Sequence, residues 1–440
     1  MKFMSKRLAL LSGAALVALS IGADQALAGG FAIREQSAYG EGTSYAGVAA
    51  GGALSSMFWN PAIMTQFKGF HTEIDGSGIF GKATNNVISG GTAGGSGGTG
   101  NIADPAFVPS GYASYQVSRE FWLGVAMTSP FGLSVTFPDG WAGRAYGNSS
   151  SLRTFNINPN IAWQATNWLS VGVGFQAQYA RANLTSGVGI PGVQTTLGGT
   201  GWGYGATAGV NIKAGPQTDI GIGWRSALNQ KIDGGLSLNN NLGGAITGTF
   251  GGVNTTLNLP DIVSLGIRHR INPLWTVMGT VEWTNWSRIG TSVVNQSNGG
   301  QAVVAGSGVS LPFQYKDGWF FSAGAEYAWS PQTTLRAGIG YEKSPITDQV
   351  RIPLLPDNDR LWLSTGLSYK ANKWLTLDVA YSHAFVRTPN INISATSGNP
   401  WFNAASGSYV GNVNASFDIV SVAARFALEP EVEQIKLIHK

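Results

Sequence analysis

No cysteine occurs in the 440 residues, so neither a disulfide framework nor a thiolate metal site is open to this chain. Charge is scarce too: 11% of residues are Asp, Glu, Lys or Arg, against about a quarter in an ordinary soluble protein. Histidine is limited to His71, His269, His383 and His439. No two have metal-ligand spacing, and none stands in a convincing Ser-plus-acid arrangement. Ser382 and His383 are adjacent, which on a strand sends their side chains to opposite faces. No metal, no cofactor and no enzymatic activity are therefore expected. Long apolar runs are missing as well: beyond residue 28 nothing approaches the roughly 20 residues of a spanning helix. The formal charge of +4 comes from 27 basic and 23 acidic residues. Removing residues 1–28 takes away three basic residues and one acid, leaving 24 against 22, or +2. So slight and evenly spread an excess does not point to nucleic acid.

What the chain does have is glycine (62 residues) and aromatics (15 Trp, 13 Tyr, 20 Phe), with a mean hydropathy near zero. Strands that are apolar on one face only have this profile, as in a transmembrane β-barrel. The first 28 residues read as a secretory signal. Lys2, Lys6 and Arg7 form a positive start, Leu8 to Leu19 an apolar core, and Ala26-Leu27-Ala28 a small-x-small cleavage pattern. Cleavage there gives a mature start at Gly29. The apolar run is too short for a membrane anchor.

From about Phe67 onward, alternating segments are separated by turn-like stretches. In Trp374–Phe385, Leu375, Leu377, Val379, Tyr381 and Phe385 share one face, and Thr376, Asp378, Ala380, Ser382 and Ala384 the other. A period of two puts the first set toward lipid and the second toward a lumen. The same alternation recurs at residues 169–176 and 334–341. Such segments number about fourteen, an even count as single-chain bacterial barrels require. Closure follows, because an open edge in hydrocarbon leaves backbone groups unpaired at several kcal/mol each. Trp168, Trp224, Trp283, Trp286, Trp319, Trp329, Tyr369 and Trp374 cluster near segment ends, as interfacial girdles do. A soluble sandwich would carry charge on its outer face, and here that face is apolar. The expected fold is all-β, a transmembrane antiparallel barrel of about 14 strands.

Residues 29–66 lack clean alternation and are rich in Gly, Ala and Ser. Residues 88–100 are low in complexity and read as a loop. The string Gly95-Ser96-Gly97-Gly98-Thr99-Gly100 matches the dinucleotide fingerprint in form only, since no strand–helix context surrounds it. The last strand is expected over Asn414–Phe426, with residues 427–440 as a periplasmic tail.

Gly30-Phe31-Ala32-Ile33 followed by Asn60-Pro61-Ala62-Ile63-Met64 resembles the FadL family of outer-membrane long-chain fatty acid transporters, which includes importers of toluene-like hydrocarbons. Ser129-Pro130-Phe131-Gly132-Leu133, and Ser344-Pro345 followed by residues 356–364, resemble it further. The resemblance covers the chain up to Phe426. It implies a signal peptide over 1–28, a hatch inside the lumen over 29–66, a barrel over 67–426, and a location in the bacterial outer membrane. Local chemistry agrees with a hatch. Small residues permit close packing, Asn60 is a good N-cap, and Pro61 suits the first position of a short helix ending near Phe67. Asn60, Pro61 and Ala62 are thus hatch residues, either as a plain stopper or with gating built upon it.

The resemblance also implies a lateral opening at an inward-kinked third strand, and residues 121–135 are the third alternating segment. Pro130 removes a ladder donor and Gly132 weakens pairing further, which fits either a gate or a plain bulge. Phe31, by the same resemblance, contacts cargo. The apolar stretch Phe131, Leu133, Val135, Phe137, Trp141 and Tyr146 is either a surface capture groove or a set of loops packed on one another. By alternation Arg225, Arg268, Glu282, Glu326, Arg336 and Asp378 point inward. Arg181, Arg225 and Arg336 are candidates for holding a carboxylate, although alternation does not clearly turn Arg181 inward. Lumenal charges otherwise pair with one another and brace the wall. The expected function is passive import of long-chain fatty acids by a monomer, with lateral exit into the bilayer. Its partners are the hydrophobic cargo, outer-membrane lipids and lipopolysaccharide. The alternatives are a hydrocarbon importer on the same fold, a general porin and a structural surface barrel.

Overall fold

The computed structural model describes residues 29–91, 95–187, 193–240, 248–304 and 307–428. The signal segment 1–28 and most of the tail expected over 427–440 lie outside them.

Fourteen strands run antiparallel around one closed wall. They are β1 (Phe70–Gly90), β2 (Ala106–Gln116), β3 in two pieces (Phe121–Thr128 and Gly132–Thr136), β4 (Ser149–Gln164), β5 (Leu169–Gly187) and β6 (Val193–Lys213). Next come β7 in two pieces (Thr218–Arg225 and Leu228–Asn240), β8 likewise (Gly248–Leu259 and Ile262–Arg270), and β9 (Trp275–Thr284). The circuit is completed by β10 (Gly318–Ala328), β11 (Thr333–Lys343), β12 (Arg360–Lys370), β13 (Leu375–Val386) and β14 (Tyr409–Leu428). β1 pairs with β14 from Phe70↔Leu428 to Gly90↔Tyr409, which removes the last edge. β14 is longer at both ends than its apolar run suggests. Its first residues pair with the polar top of β1, where Asn86 Nδ2 donates to Asn412 Oδ1 at 2.9 Å.

One rim carries four-residue turns at 117–120, 165–168, 214–217, 271–274, 329–332 and 371–374. Ser118, Thr166, Asn272, Ser330 and Asn372 sit second in five of them. Each side-chain oxygen accepts from the backbone N–H groups two and three residues on. Such side chains build tight turns by satisfying donors that the ladder no longer reaches. Long connections occupy the other rim, so the short-turn rim is periplasmic.

The lumen is filled by residues 29–66, folded as a short helix at Ala38–Glu41 and 3-10 turns at Val48–Ala50, Leu54–Phe58 and Pro61–Gln66. Asn60 Oδ1 accepts from Ala62 N at 3.0 Å, and Asn60 Nδ2 donates to Ala49 O at 2.7 Å and to Val210 O on the wall at 2.9 Å. Close approach requires glycine on the wall itself: a Cβ at Gly209 would overlap Asn60 Oδ1, and one at Gly223 the Trp59 carbonyl. Tyr39 fastens the segment to the periplasmic end. Its hydroxyl donates to Glu326 Oε1 at 2.5 Å, and the Arg268, Arg336 and Arg425 guanidiniums lie 5.7, 4.0 and 5.2 Å from its ring.

Pro159 shows how the wall tolerates a missing donor. It has no N–H to offer the neighbouring strand, and Asn158 Nδ2 donates instead to the Phe175 carbonyl at 2.8 Å.

Candidate functional site

The third strand is broken where its sequence is least able to pair. β2 pairs with β3 only as far as Gly111↔Met127, so its extracellular half, Ala106–Ser110, is partnered by β1 alone. Beyond the break β3 pairs along its length with β4, from Gly132↔Arg153 to Thr136↔Ser149, and meets the segment before β2 only through an isolated bridge between Ala103 and Val135, where Thr136 N donates to Ile102 O at 3.1 Å. Pro109 lies on that one-sided half of β2, where a missing donor is cheapest. The start of the inner segment takes the vacant place. Ile33 N donates to Pro130 O at 2.8 Å and Gly132 N to Phe31 O at 2.9 Å, making an antiparallel bridge between Ala32 and Phe131. Gln36 grips the same point: its Nε2 donates to Ser129 O at 2.8 Å, and its Oε1 accepts from Ser129 N at 3.2 Å.

Directly above, an apolar cavity opens in the extracellular half of the lumen. Phe31 forms its floor and Leu133 lies beside it. Leu152, Leu184, Leu197, Ile232 and Leu257 of β4–β8 supply one wall, and Phe313, Leu354 and Trp401 of the loops the other. No described lining residue carries a charge. Its free volume is about 80 Å³, well below the ~300 Å³ at which drug-sized pockets begin. A large cargo therefore enters only if side chains give way. Phe31 is placed to do so, wedged against Trp286 (centroids 4.7 Å) and Phe131 (6.1 Å).

Three expected site features are corrected by this geometry. Arg181 is exposed on the outward face of β5 and cannot reach the lumen. Arg225 is lumenal but lies outside the cavity, donating to Phe58 O at 3.0 Å and Gln176 Oε1 at 2.5 Å while covering the Phe58 ring. Arg336 sits at the periplasmic end, braced by Glu326 at 2.8 Å and Asp378 at 3.4 Å. The capture-groove reading fails for Phe137 and Trp141. They stack at 4.3 Å, and Trp141 Nε1 donates to Gly147 O, so both are buried inside a packed loop. Phe131 touches Phe31 and Trp286 but does not line the cavity. Of the stretch 131–146, Leu133 alone does.

Sequence reasoning missed the wall leucines and isoleucines and the loop aromatics. A signal existed: inward positions are polar low in β4, β5 and β7 (Asn156, Asn158, Gln176, Arg225) and apolar high in them (Leu152, Leu184, Ile232). Arg34 was missed as well. It bridges Glu282 at 2.7 Å and Glu342 at 3.4 Å, with its guanidinium 3.7 Å from the Phe320 ring centre. Two acids of the inner segment lack a counter-charge of this quality. Burial pushes Glu35 up to about 7 and Glu41 up to about 8. One oxygen of each, Glu35 Oε2 and Glu41 Oε1, has no hydrogen-bond partner. Among the described residues no cluster of His, Asp and Glu could hold a metal.

A family model for outer membrane transport proteins, described as OMPP1/FadL/TodX, matches residues 19–428. The chain belongs to that family. A long-chain fatty acid transport protein of Escherichia coli K12 is 28% identical over 431 residues, covering 88% of this chain and 95% of its own length. Outer membrane protein P1 of Haemophilus influenzae is 27% identical over 412 residues, covering 83% of this chain and 88% of its own. Among solved structures, a Pseudomonas aeruginosa FadL homologue superposes with a TM-score of 0.80 at 20% identity, covering 90% of this chain and 99% of its own. The toluene transporter TodX of Pseudomonas putida gives 0.69 at 16% identity, covering 91% and 100%. Those two likenesses bear on the fold. Membership of the family makes this chain an outer-membrane transport barrel.

Proposed function

We propose that the protein imports hydrophobic molecules, long-chain fatty acids foremost, by passive movement through the apolar cavity and out sideways at the break in β3. The observation that carries this reading is the placement of Phe31, which is both the floor of the cavity and the strand partner of the broken segment. Displacing it opens the cavity and the wall together. Residues 29–66 act as the hatch, with Asn60, Pro61 and Ala62 fastening its far end and Pro130 and Gly132 forming the gate. Lateral exit suits the cargo, because an acyl chain gains about 0.8 kcal/mol for each CH₂ it buries. Release into periplasmic water would forfeit that gain, whereas the bilayer preserves it. The fatty acid relatives support the cargo class. The barrel works as a monomer.

A second reading is favoured by one observation: the cavity lining is free of charge. A neutral hydrocarbon needs nothing more, whereas a carboxylate must keep its head outside the lining described. Uptake of labelled oleate and labelled toluene, in cells lacking their own transporter and complemented with this gene, separates the two. Saturable oleate uptake is expected. Toluene uptake without oleate uptake would move the protein to the hydrocarbon reading, and uptake of neither would reject both.

A further inference from the structure

The cavity lining is free of charge but not of polar groups, and two donors in it have nothing to bond. Trp401 Nε1 is buried and has no hydrogen-bond partner. Of the buried polar side-chain atoms left without a partner among the described residues, it is the one that belongs to the lining. Tyr315 also lines the cavity, is 5% exposed, and makes no side-chain hydrogen bond among the described residues. Thr255, by contrast, is already engaged, its Oγ1 donating to Val293 O at 3.0 Å. A buried indole N–H or phenol ordinarily finds a partner, because an unpaired donor away from water costs free energy.

Both donors are held in place. Asn399 Oδ1 accepts from Trp401 N at 3.0 Å, while Asn399 Nδ2 donates to Arg351 O at 3.2 Å. On either side of Tyr315, Gln314 N donates to Gly290 O and Lys316 N to Pro345 O, each at 2.9 Å. Gln314 takes a left-handed φ of 45° there, a conformation that a non-glycine residue keeps only when its surroundings enforce it. The two rings flank Phe313, whose centroid is 5.9 Å from that of Trp401 and 5.5 Å from that of Tyr315. Phe313 in turn lies 6.3 Å from Phe31. The donors thus stand together on the loop side of the cavity, across from the leucines and isoleucines of the strands.

The chemistry of the pair is narrow. An indole N–H can only donate. Burial and the Asp357 carboxylate hold the Tyr315 phenol well above its ordinary value, so it keeps its proton. Two donors match an oxygen with two lone pairs. No cation lines the cavity to meet an ionised carboxylate, and a charge buried without one is far costlier than a neutral oxygen that is hydrogen-bonded.

We propose, on the reading of the cavity as the cargo path, that Trp401 and Tyr315 form its head-group subsite and select cargo whose polar end is an uncharged oxygen. Such an end is an ester or ketone carbonyl, an alcohol, or a carboxyl in its neutral form. The tail lies along the strand leucines, above Phe31. Cargo without an oxygen leaves both donors unpaired, which a site built to hydrogen-bond its ligand penalises.

The test uses the protein extracted from outer membranes in mild detergent, with Trp401→Phe, Tyr315→Phe and the double variant. These keep an aromatic ring and lose the N–H or the O–H. Heat-modifiable migration on gels shows that each is folded. Binding of radiolabelled oleyl alcohol, methyl oleate and octadecene is read by scintillation proximity. The double variant is expected to bind the alcohol and the ester at least tenfold more weakly than the wild type, and octadecene within about twofold of it. Each single variant is expected to lose at least about threefold for the alcohol and the ester. Equal losses for all three ligands would reduce the two residues to packing and overturn the subsite, as would unchanged alcohol and ester binding in the folded double variant. The ester accepts but cannot donate, so a loss for the alcohol with none for the ester would overturn the pair as donors. Phe31→Ala separates the subsite from the path. It is expected to weaken all three ligands, and unaltered binding of all three would overturn the cavity as the cargo site. Weakening of all three in Phe31→Ala, with the alcohol and ester still bound normally by the double variant, would overturn the subsite alone.

Discussion

Phe31 carries the most consequence of any single side chain. Its ring is 3% exposed, closes the floor of the cavity and meets Trp286 edge-on. Truncation to alanine removes that floor and leaves the backbone bridge to the third strand in place. Phe31→Ala is expected to weaken oleate binding by about tenfold or more, equivalent to about 1.4 kcal/mol, with the barrel still folded. Titration with a fluorescent fatty acid measures it, and unchanged affinity would remove Phe31 from the cargo site. The arginines show how far residue type alone can mislead. Arg225, Arg336 and Arg181 are chemically equivalent carboxylate ligands on paper. One donates to a main-chain carbonyl, one braces two acids, and one faces the membrane. What separates them is strand register, and a shift of one residue in register reverses the face of every side chain on the strand.

At the scale of the element, the broken third strand is where local chemistry and function meet. Pro130 cannot donate, Gly132 brings no side chain to the ladder, and β2 leaves Ala106–Ser110 without a partner on that side. Elsewhere in a closed barrel such a defect costs several kcal/mol per unpaired group. Here the inner segment satisfies two of the groups, through Ile33 N to Pro130 O and Gly132 N to Phe31 O. Gly132→Glu sets a charged side chain in the break. It is expected to abolish oleate uptake by complemented cells while heat-modifiable migration stays that of the wild type. Uptake at the wild-type rate would place the exit elsewhere. Pro130 and Gly132 were legible as a weak point in the sequence, because the absence of an N–H and of a side chain is a property of the residue. Which neighbour is lost, and that Phe31 replaces it, was not legible, since the first depends on where the β2–β3 ladder stops and the second on contacts about a hundred residues apart.

For the molecule as a whole, the question is what holds residues 29–66 in the lumen. Glu35 and Glu41 are buried with carboxyls pushed up to about 7 and about 8, desolvation being the largest cause for both. Against their ordinary value of 4.5, the folded state binds more protons than the unfolded one between about pH 4.5 and 8. Their contribution to stability is therefore greatest at the acid end and falls as pH rises through that window. Raising the pH from 6 to 8.5 is expected to loosen the hatch, seen as faster protease cleavage within 29–66 or as ion conductance in planar bilayers. Glu41→Gln should reduce that pH dependence, and an unaltered profile in this variant would exclude Glu41 as its source.

The sequence by itself determined the class of fold. Period-two alternation, scarce charge and girdling aromatics are consequences of a wall with lipid on one side, and they survive in any register that keeps the apolar face outward. It also determined that residues 29–66 could not be wall, because their small, unpatterned side chains have no lipid face to offer. Only the tertiary structure decided where the apolar cavity lies. Its lining is drawn from Phe31, six strands and three loops, whose apolar residues look unremarkable in their own segments. Alternation already turned Arg225 and Arg336 inward, but only closure of the sheet decided what they meet, Phe58 and Gln176 for the one and Glu326 and Asp378 for the other, and set Arg181 beside Arg153 on the outside. Alternation is local and can be read from neighbouring residues, whereas a cavity and a row across strands are made by residues that meet only when the barrel closes.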